Sequence, residues 1–281
     1  MSNVAQTIVR VTTSMLMLIF FATGAVAQNT KLMNVELCNG GSKMSAESQI
    51  TGCTALIDSG LENSQTLVVA YNNRGNAHTR RGEYDLAIKD YDECIKLYPN
   101  YARAFNNRGE AYAKKGDFSR AIEDFDVAIS FDPKYGSAFA NRAQIYENAG
   151  KFDRALKDLD EAVRFLPAVG SLWNKRCWAR FVVGNFQSAV ADCNEAIRLE
   201  PNSAAALDSR GFTYLKLGQA DLARTDFSSA LQLDPKLASA LYGRGLANLH
   251  AGELVAGNAD IAAAKAIDQT VVGKFARYGL N

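Results

Sequence analysis

The sequence predicts an all-α chain, a solenoid of antiparallel helix hairpins, and three observations carry that prediction. The five prolines, Pro99, Pro133, Pro167, Pro201 and Pro235, recur every 34 residues, and the chain has no other. Gly82, Gly116, Gly150, Gly184, Gly218 and Gly252 repeat with the same period. Between these marks the apolar residues fall at helical spacing, as in Ala87, Ile88, Tyr91 and Ile95. A fixed period of this size marks stacked repeats.

Counting so that proline falls at position 32, the units run 68–101, 102–135, 136–169, 170–203, 204–237 and 238–271. The sixth has Gln269 where the others have proline. Glycine at position 15 ends a first helix and supports a turn. Proline at 32 terminates the second helix, because it lacks an N–H and clashes with the preceding turn. Position 8 is small (Gly75, Gly109, Ala143, Cys177, Gly211, Gly245), as are positions 20 and 27. Position 24 is bulky in five units, with Tyr91, Phe125, Leu159, Phe227 and Ile261, and is Cys193 in the fourth. Small residues let two helices approach, and the large one fills the remaining gap.

These residues resemble the tetratricopeptide-repeat family, whose period is 34, and in particular its exported bacterial members. The best single unit runs from Ala102-Arg103-Ala104-Phe105-Asn106-Asn107-Arg108-Gly109 through Ala121-Ile122-Glu123-Asp124-Phe125 to Pro133. The resemblance covers about residues 68–271 and implies a right-handed superhelix with a concave groove lined by the first helices. Such a fold has no intrinsic chemistry and implies a protein-interaction scaffold.

Two further features follow from a hairpin turning near position 15, in which positions equidistant from the turn face one another. Position 7 is arginine and position 23 aspartate in all six units: Arg74 and Asp90, Arg108 and Asp124, Arg142 and Asp158, Arg176 and Asp192, Arg210 and Asp226, Arg244 and Asp260. Each pair is expected to form an ion pair inside its hairpin, in preference to a row of arginines binding an anion. Cys177 and Cys193 also face each other, so a disulfide is expected there, two buried thiols being the alternative. Cys38 and Cys53 flank Gly40-Gly41-Ser42 and a helical segment, and a bridge between them would pin the N-terminal cap. Cys94 is read as a small buried residue.

The ends read as caps. Residues 1–27 carry Arg10, the apolar run 15–21 and Ala25-Val26-Ala27, the layout of a secretory signal peptide cleaved near Ala27. Export would place the mature chain in the periplasm or outside the cell, where disulfides persist, and leave it no transmembrane segment. Residues 28–67 are expected to hold an N-terminal tail (28–33) and capping helices, with a helix over 45–59. Residues 272–281 form a C-terminal capping segment, a short helix over 271–278 in which Phe275 and Tyr278 cover the sixth unit.

The partner is narrowed by charge and by the groove. The chain has 31 Lys+Arg against 30 Asp+Glu, and losing Arg10 leaves 30 of each. A balanced surface argues against nucleic acid, which calls for a basic stripe. Groove positions implied by the resemblance include Asn72, Asn73, Asn76, Arg103, Asn106, Asn107, Glu110, Asn141 and Gln144, then Lys175, Trp178 and Phe212. The first three units are rich in asparagine, which can pair with an extended backbone; the last three are aromatic and apolar. Ordinary repeat packing is the alternative for both zones. The family's carboxylate clamp lacks its lysine, since Asn72 stands there, so a peptide ending in aspartate is disfavoured. With only His78 and His250, in different units, and no Cys-x-x-Cys, there is no metal motif. No nucleophile or phosphate-loop motif is present, so neither enzyme activity nor a cofactor is expected. The expected partner is a protein or peptide of the cell envelope, with a small-ligand or polysaccharide carrier as the alternative.

Overall fold

The computed structural model describes residues 28–40 and 44–280. The segment read as a signal peptide lies outside them, as do residues 41–43 of the Gly-Gly-Ser turn. Among the described residues there are fifteen helices and no strand. None of the helices is long and apolar enough to cross a membrane. The chain divides into two compact units at Phe131 and Asp132.

The first unit begins with α1, residues 28–39. Residues 28–33, expected as a tail, are its first turns. Helix α2 (Ala46–Asp58) follows, with Ser45 as N-cap accepting from the Ser48 N–H. The Cys38–Cys53 disulfide joins the two helices. Gln49, buried under α1, donates to the Cys38 carbonyl at 2.8 Å and accepts from Arg80 at 2.6 Å. This small cluster covers the start of the first hairpin, formed by α3 (Ser64–Arg80) and α4 (Tyr84–Leu97). The second hairpin is α5 (Ala102–Lys114) and α6 (Phe118–Phe131).

The second unit holds four hairpins: α7 (Gly136–Asn148) with α8 (Phe152–Phe165), α9 (Gly170–Val182) with α10 (Phe186–Leu199), α11 (Ala204–Lys216) with α12 (Ala220–Leu233), and α13 (Ala238–His250) with α14 (Leu254–Ile267). A short α15 (Val271–Ala276) ends the chain.

The repeat residues act as local geometry demands. All six position-15 glycines have φ between 70° and 86°. That left-handed region costs an L-residue about 1–2 kcal/mol, while the space around each glycine is open, so backbone rather than crowding selects glycine. At position 8 the reason is space. A Cβ on Gly75 would lie 2.6 Å from Tyr91, on Gly109 2.8 Å from Phe125, and on Gly211 2.7 Å from Phe227. In the fourth hairpin this contact between small and large is replaced by the Cys177–Cys193 disulfide. Cys94 is free and buried, its thiol pushed up to about 12 by burial.

The five repeat prolines each follow a second helix by two residues, yet α14 ends at Ile267 in the same phase without one. There Asp268 takes extended backbone angles and accepts the Thr270 N–H at 2.9 Å. Asp132 and Asp234 accept the N–H two residues on in the same way, at 3.0 Å each. In these three hairpins an Asx turn breaks the helix at this phase; the other three have Tyr98, Leu166 and Glu200 there and rely on proline.

Each position-7 arginine donates two hydrogen bonds to the position-23 aspartate of its own hairpin, through Nε and Nη2, at 2.7–2.9 Å. Five of the aspartates are buried, and the forked geometry is the strongest available to a carboxylate. The third guanidinium nitrogen often reaches back to the preceding hairpin. Arg108 donates to Asp92 at 2.6 Å, Arg176 to Asp160 at 3.0 Å and Arg210 to Asn194 at 2.7 Å. One side chain therefore ties a hairpin internally and to its neighbour.

Candidate partner-binding site

In the first unit the first-helix residues form an asparagine ladder. Asn107 Nδ2 donates to Asn72 Oδ1 and Asn76 Oδ1, each at 3.0 Å. Asn73 Nδ2 donates to the Cys38 carbonyl and to Asn39 Oδ1, both at 3.2 Å. Asn106 and Asn72 donate in turn to Asn107 and Asn73, and Tyr91 Oη donates to Asn76 at 2.8 Å. Asn72 and Asn106 are buried. The ladder's amides are thus committed to one another and to the α1 terminus, tying α1, α3 and α5 together. Arg103 is exposed and Glu110 half-buried, so these charged side chains are open to solvent.

His78 sits where a catalytic reading would place it only with partners, and it has two carboxylates near. Its Nδ1 lies 2.7 Å from Glu83 and its Nε2 3.8 Å from Asp90. These contacts bridge the turn of the first hairpin to its buried ion pair. Among the described residues, no three His, Cys, Asp or Glu side chains converge on a metal-sized space.

In the second unit three candidates, Gln144, Lys175 and Trp178, line a pocket of about 470 Å³ together with Glu147, Asn174, Ser209, Arg277 and Tyr278, among others; Asn141 and Phe212 do not line it. Lys175 Nζ donates to Gln144 Oε1 at 2.6 Å, and Gln144 Nε2 donates to Asn148 at 3.1 Å. Asn141, on α7, is not without a partner either. Burial pushes the Glu147 carboxyl up to about 7 against the pull of Lys175. Asp208, on α11, is likewise pushed up to about 7 by burial, despite a hydrogen bond to Ser239. Asn174 Oδ1 and Asp208 Oδ1 are buried with no donor.

Those acceptors are orphaned by what stands one hairpin on. In the first unit the position-5 acceptor, Asn72, is met by the position-6 amide of the next hairpin, Asn107. For Asn174 the corresponding residue is Ser209, whose hydroxyl donates instead to the Ala205 carbonyl at 2.9 Å. For Asp208 it is Gly243, which has no side chain.

The aromatic candidates are not open. Phe212 is fully buried and Trp178 half-buried. Trp178 stacks on Phe181 at 4.8 Å and meets Tyr278 edge-on at 5.5 Å. Phe275 stacks on Phe212 at 4.2 Å. Phe275, expected to cover the sixth hairpin, meets its Tyr242 at 5.7 Å, and with Tyr278 also reaches the first helices of the fourth and fifth. Glu147 is not among the residues that the sequence singles out for the groove. Asn174 and Asp208 stand at the groove positions that the resemblance implies, but nothing in their local sequence shows that their donors are missing.

The tetratricopeptide-repeat profile matches residues 68–101, 102–135, 140–204 and 210–270, well over half of the chain. The chain belongs to the tetratricopeptide-repeat family. No curated protein matches it. Among solved structures, the tetratricopeptide-repeat protein YrrB, described as having an unusual peptide-binding site, is 21% identical with a TM-score of 0.57, covering 72% of this chain and 98% of its own. MamA from Desulfovibrio magneticus RS-1 is 20% identical with a TM-score of 0.55, covering 61% and 97%. The C-terminal part of a repeat protein from Cytophaga hutchinsonii is 16% identical with a TM-score of 0.62, covering 86% and 95%. At these identities the likeness establishes the fold, an all-α tetratricopeptide-repeat architecture of stacked hairpins.

Proposed function

We propose that this tetratricopeptide-repeat protein is a non-enzymatic interaction scaffold that binds a peptide or helix of a protein partner on the face of its first helices. The observation that carries the reading is the rigid ladder of paired hairpins. Within each unit the Arg–Asp forks hold each first helix in a fixed phase against its second helix, and so set the residues at its outward positions in a row. YrrB, with the same fold and a described peptide-binding site, supports the same reading. The two disulfides support a place in the cell envelope or outside the cell.

Residues 28–281, used as bait in an envelope extract, are expected to capture a partner. The exposed Arg103 and the half-buried Glu110 are the first residues to test, because Asn107 also holds the ladder. Arg103→Ala with Glu110→Ala is expected to weaken capture at an unchanged melting temperature. Undiminished capture would move the interface off the first-unit face. The orphaned Asn174 acceptor lining the second-unit pocket favours one alternative, a small polar ligand such as a saccharide. Capture that survives protease treatment of the extract would select it.

A further inference from the structure

The last ten described residues do not close the end of the repeat stack. On α14, the final second helix, Val255 stays 87% exposed and Leu254 62%. Instead α15 and the residues after it turn back onto the first helices of the second unit. Val271, Phe275 and Leu280 are buried there, and Tyr278 is half-buried. Phe275 packs on Phe212, on Tyr242 at 5.7 Å and on Trp178 at 6.2 Å. Tyr278 packs on Trp178 and on Phe181 at 6.0 Å. Tyr242 Oη donates to the Leu280 carbonyl at 2.9 Å, and Lys216 Nζ to that of Gly279 at 3.2 Å.

Val271 and Phe275, buried at i and i+4 of α15, and the half-buried Tyr278 just beyond it share one apolar face, the pattern by which an amphipathic segment lies in a groove. A helix of six residues has no stability of its own in water, so the aromatic row of α9, α11 and α13 orders it. The fit is also incomplete. Asn174 Oδ1, lining the pocket beside Arg277 and Tyr278, receives no hydrogen bond, and neither does Asp208 Oδ1.

We propose that the C-terminal segment is a resident stand-in for the partner of the second unit. That partner is a short helix of another protein with apolar or aromatic residues at i, i+4 and i+7, and it binds the row of Trp178, Phe212 and Tyr242 by displacing residues 271–280. This deepens the scaffold reading and rests on it only for the claim that an outside partner exists.

The test uses the purified chain and a fluorescein-labelled synthetic peptide of residues 268–281, read by fluorescence anisotropy, so it needs no natural partner. Failure of the capture experiment would leave it standing. The wild-type groove is occupied, which lowers its apparent affinity by the fraction of chains that are open. The Phe275→Ala/Tyr278→Ala chain, with its groove intact and its own segment weakened, is expected to bind the peptide about tenfold more tightly than wild type. A peptide carrying the same two alanines is expected to bind neither chain. Should the double variant not fold, Tyr278→Ala alone alters the segment and leaves the groove untouched, and a gain of about twofold to threefold is expected. Equal affinity of wild-type and folded variant chains would overturn the proposal. So would a doubled mass in sedimentation, which would make the occupant a second copy exchanging its C-terminus.

Discussion

At the scale of single residues, two kinds of buried charge behave oppositely. The Arg108–Asp124 pair is forked, and Asp124 is 6% exposed. Arg108→Ala leaves that carboxylate buried without its partner, and a loss of about 2–3 kcal/mol is expected in urea unfolding, well above an exposed pair. A loss under about 0.5 kcal/mol would show the pair to be screened by solvent. Glu147 and Asp208 have no such partner, and burial raises both toward neutrality. In the unfolded chain they ionise near pH 4, whereas the folded chain holds their protons until about 7. Their burial therefore carries no penalty below pH 4, and destabilises the second unit progressively as pH rises from about 4 to 7. Glu147→Gln is expected to stabilise the protein by about 1–3 kcal/mol at pH 8 and to change nothing near pH 4. An equal effect at both pH values would remove ionisation as the cause. The Arg–Asp pairing was legible because residues equidistant from a turn must meet. The backward reach of Arg108 to Asp92 was not sought, although Asp92, Asp126, Asp160 and Asn194 share position 25.

At the scale of elements, the hairpin is set by backbone limits and one size constraint. Gly116 has φ 83° with open space around it, so Gly116→Ala is expected to cost about 1 kcal/mol through strain alone. Gly109→Ala acts through a different term, since its Cβ would meet Phe125 at 2.8 Å, and about 1–3 kcal/mol is expected from overpacking. The two variants, followed by thermal melting, separate backbone cost from packing cost. Similar losses rescued in both by Phe125→Leu would contradict the separation. In the fourth hairpin the Cys177–Cys193 bond closes a loop of 16 residues. Its reduction is expected to cost about 3 kcal/mol by chain entropy, visible as a lower midpoint in dithiothreitol. Prolines mark the end of five second helices, and at the sixth Asp268 makes the break without one. The helical state of residues 28–33 escaped notice because their stability comes from what α1 is tied to: the Cys38–Cys53 bond, Gln49 and Asn73.

At the scale of the whole molecule, each compact unit carries one disulfide, and each first-helix face is already occupied in part by the chain itself. In the first unit the asparagines satisfy one another; in the second the C-terminal segment covers the aromatic row. Ending the chain at Thr270 is expected to expose Trp178, Phe212 and Tyr242 and to raise binding of a hydrophobic dye severalfold, while far-UV circular dichroism keeps its helical shape. No rise in dye binding would mean that the row closes on itself. The sequence by itself determined the hairpin, its period, its turn glycines and which residues face each other across it. Those are contacts between near neighbours in a fixed phase, so spacing alone encodes them. Tertiary structure alone decided which of the outward residues remain available. Whether Asn107 meets a ligand or Asn72, and whether Phe212 meets a partner or Phe275, depends on segments 35 and 63 residues away in the chain. Where such distant segments come to rest is set by the competition of all apolar and hydrogen-bonding surfaces at once, which no local spacing records.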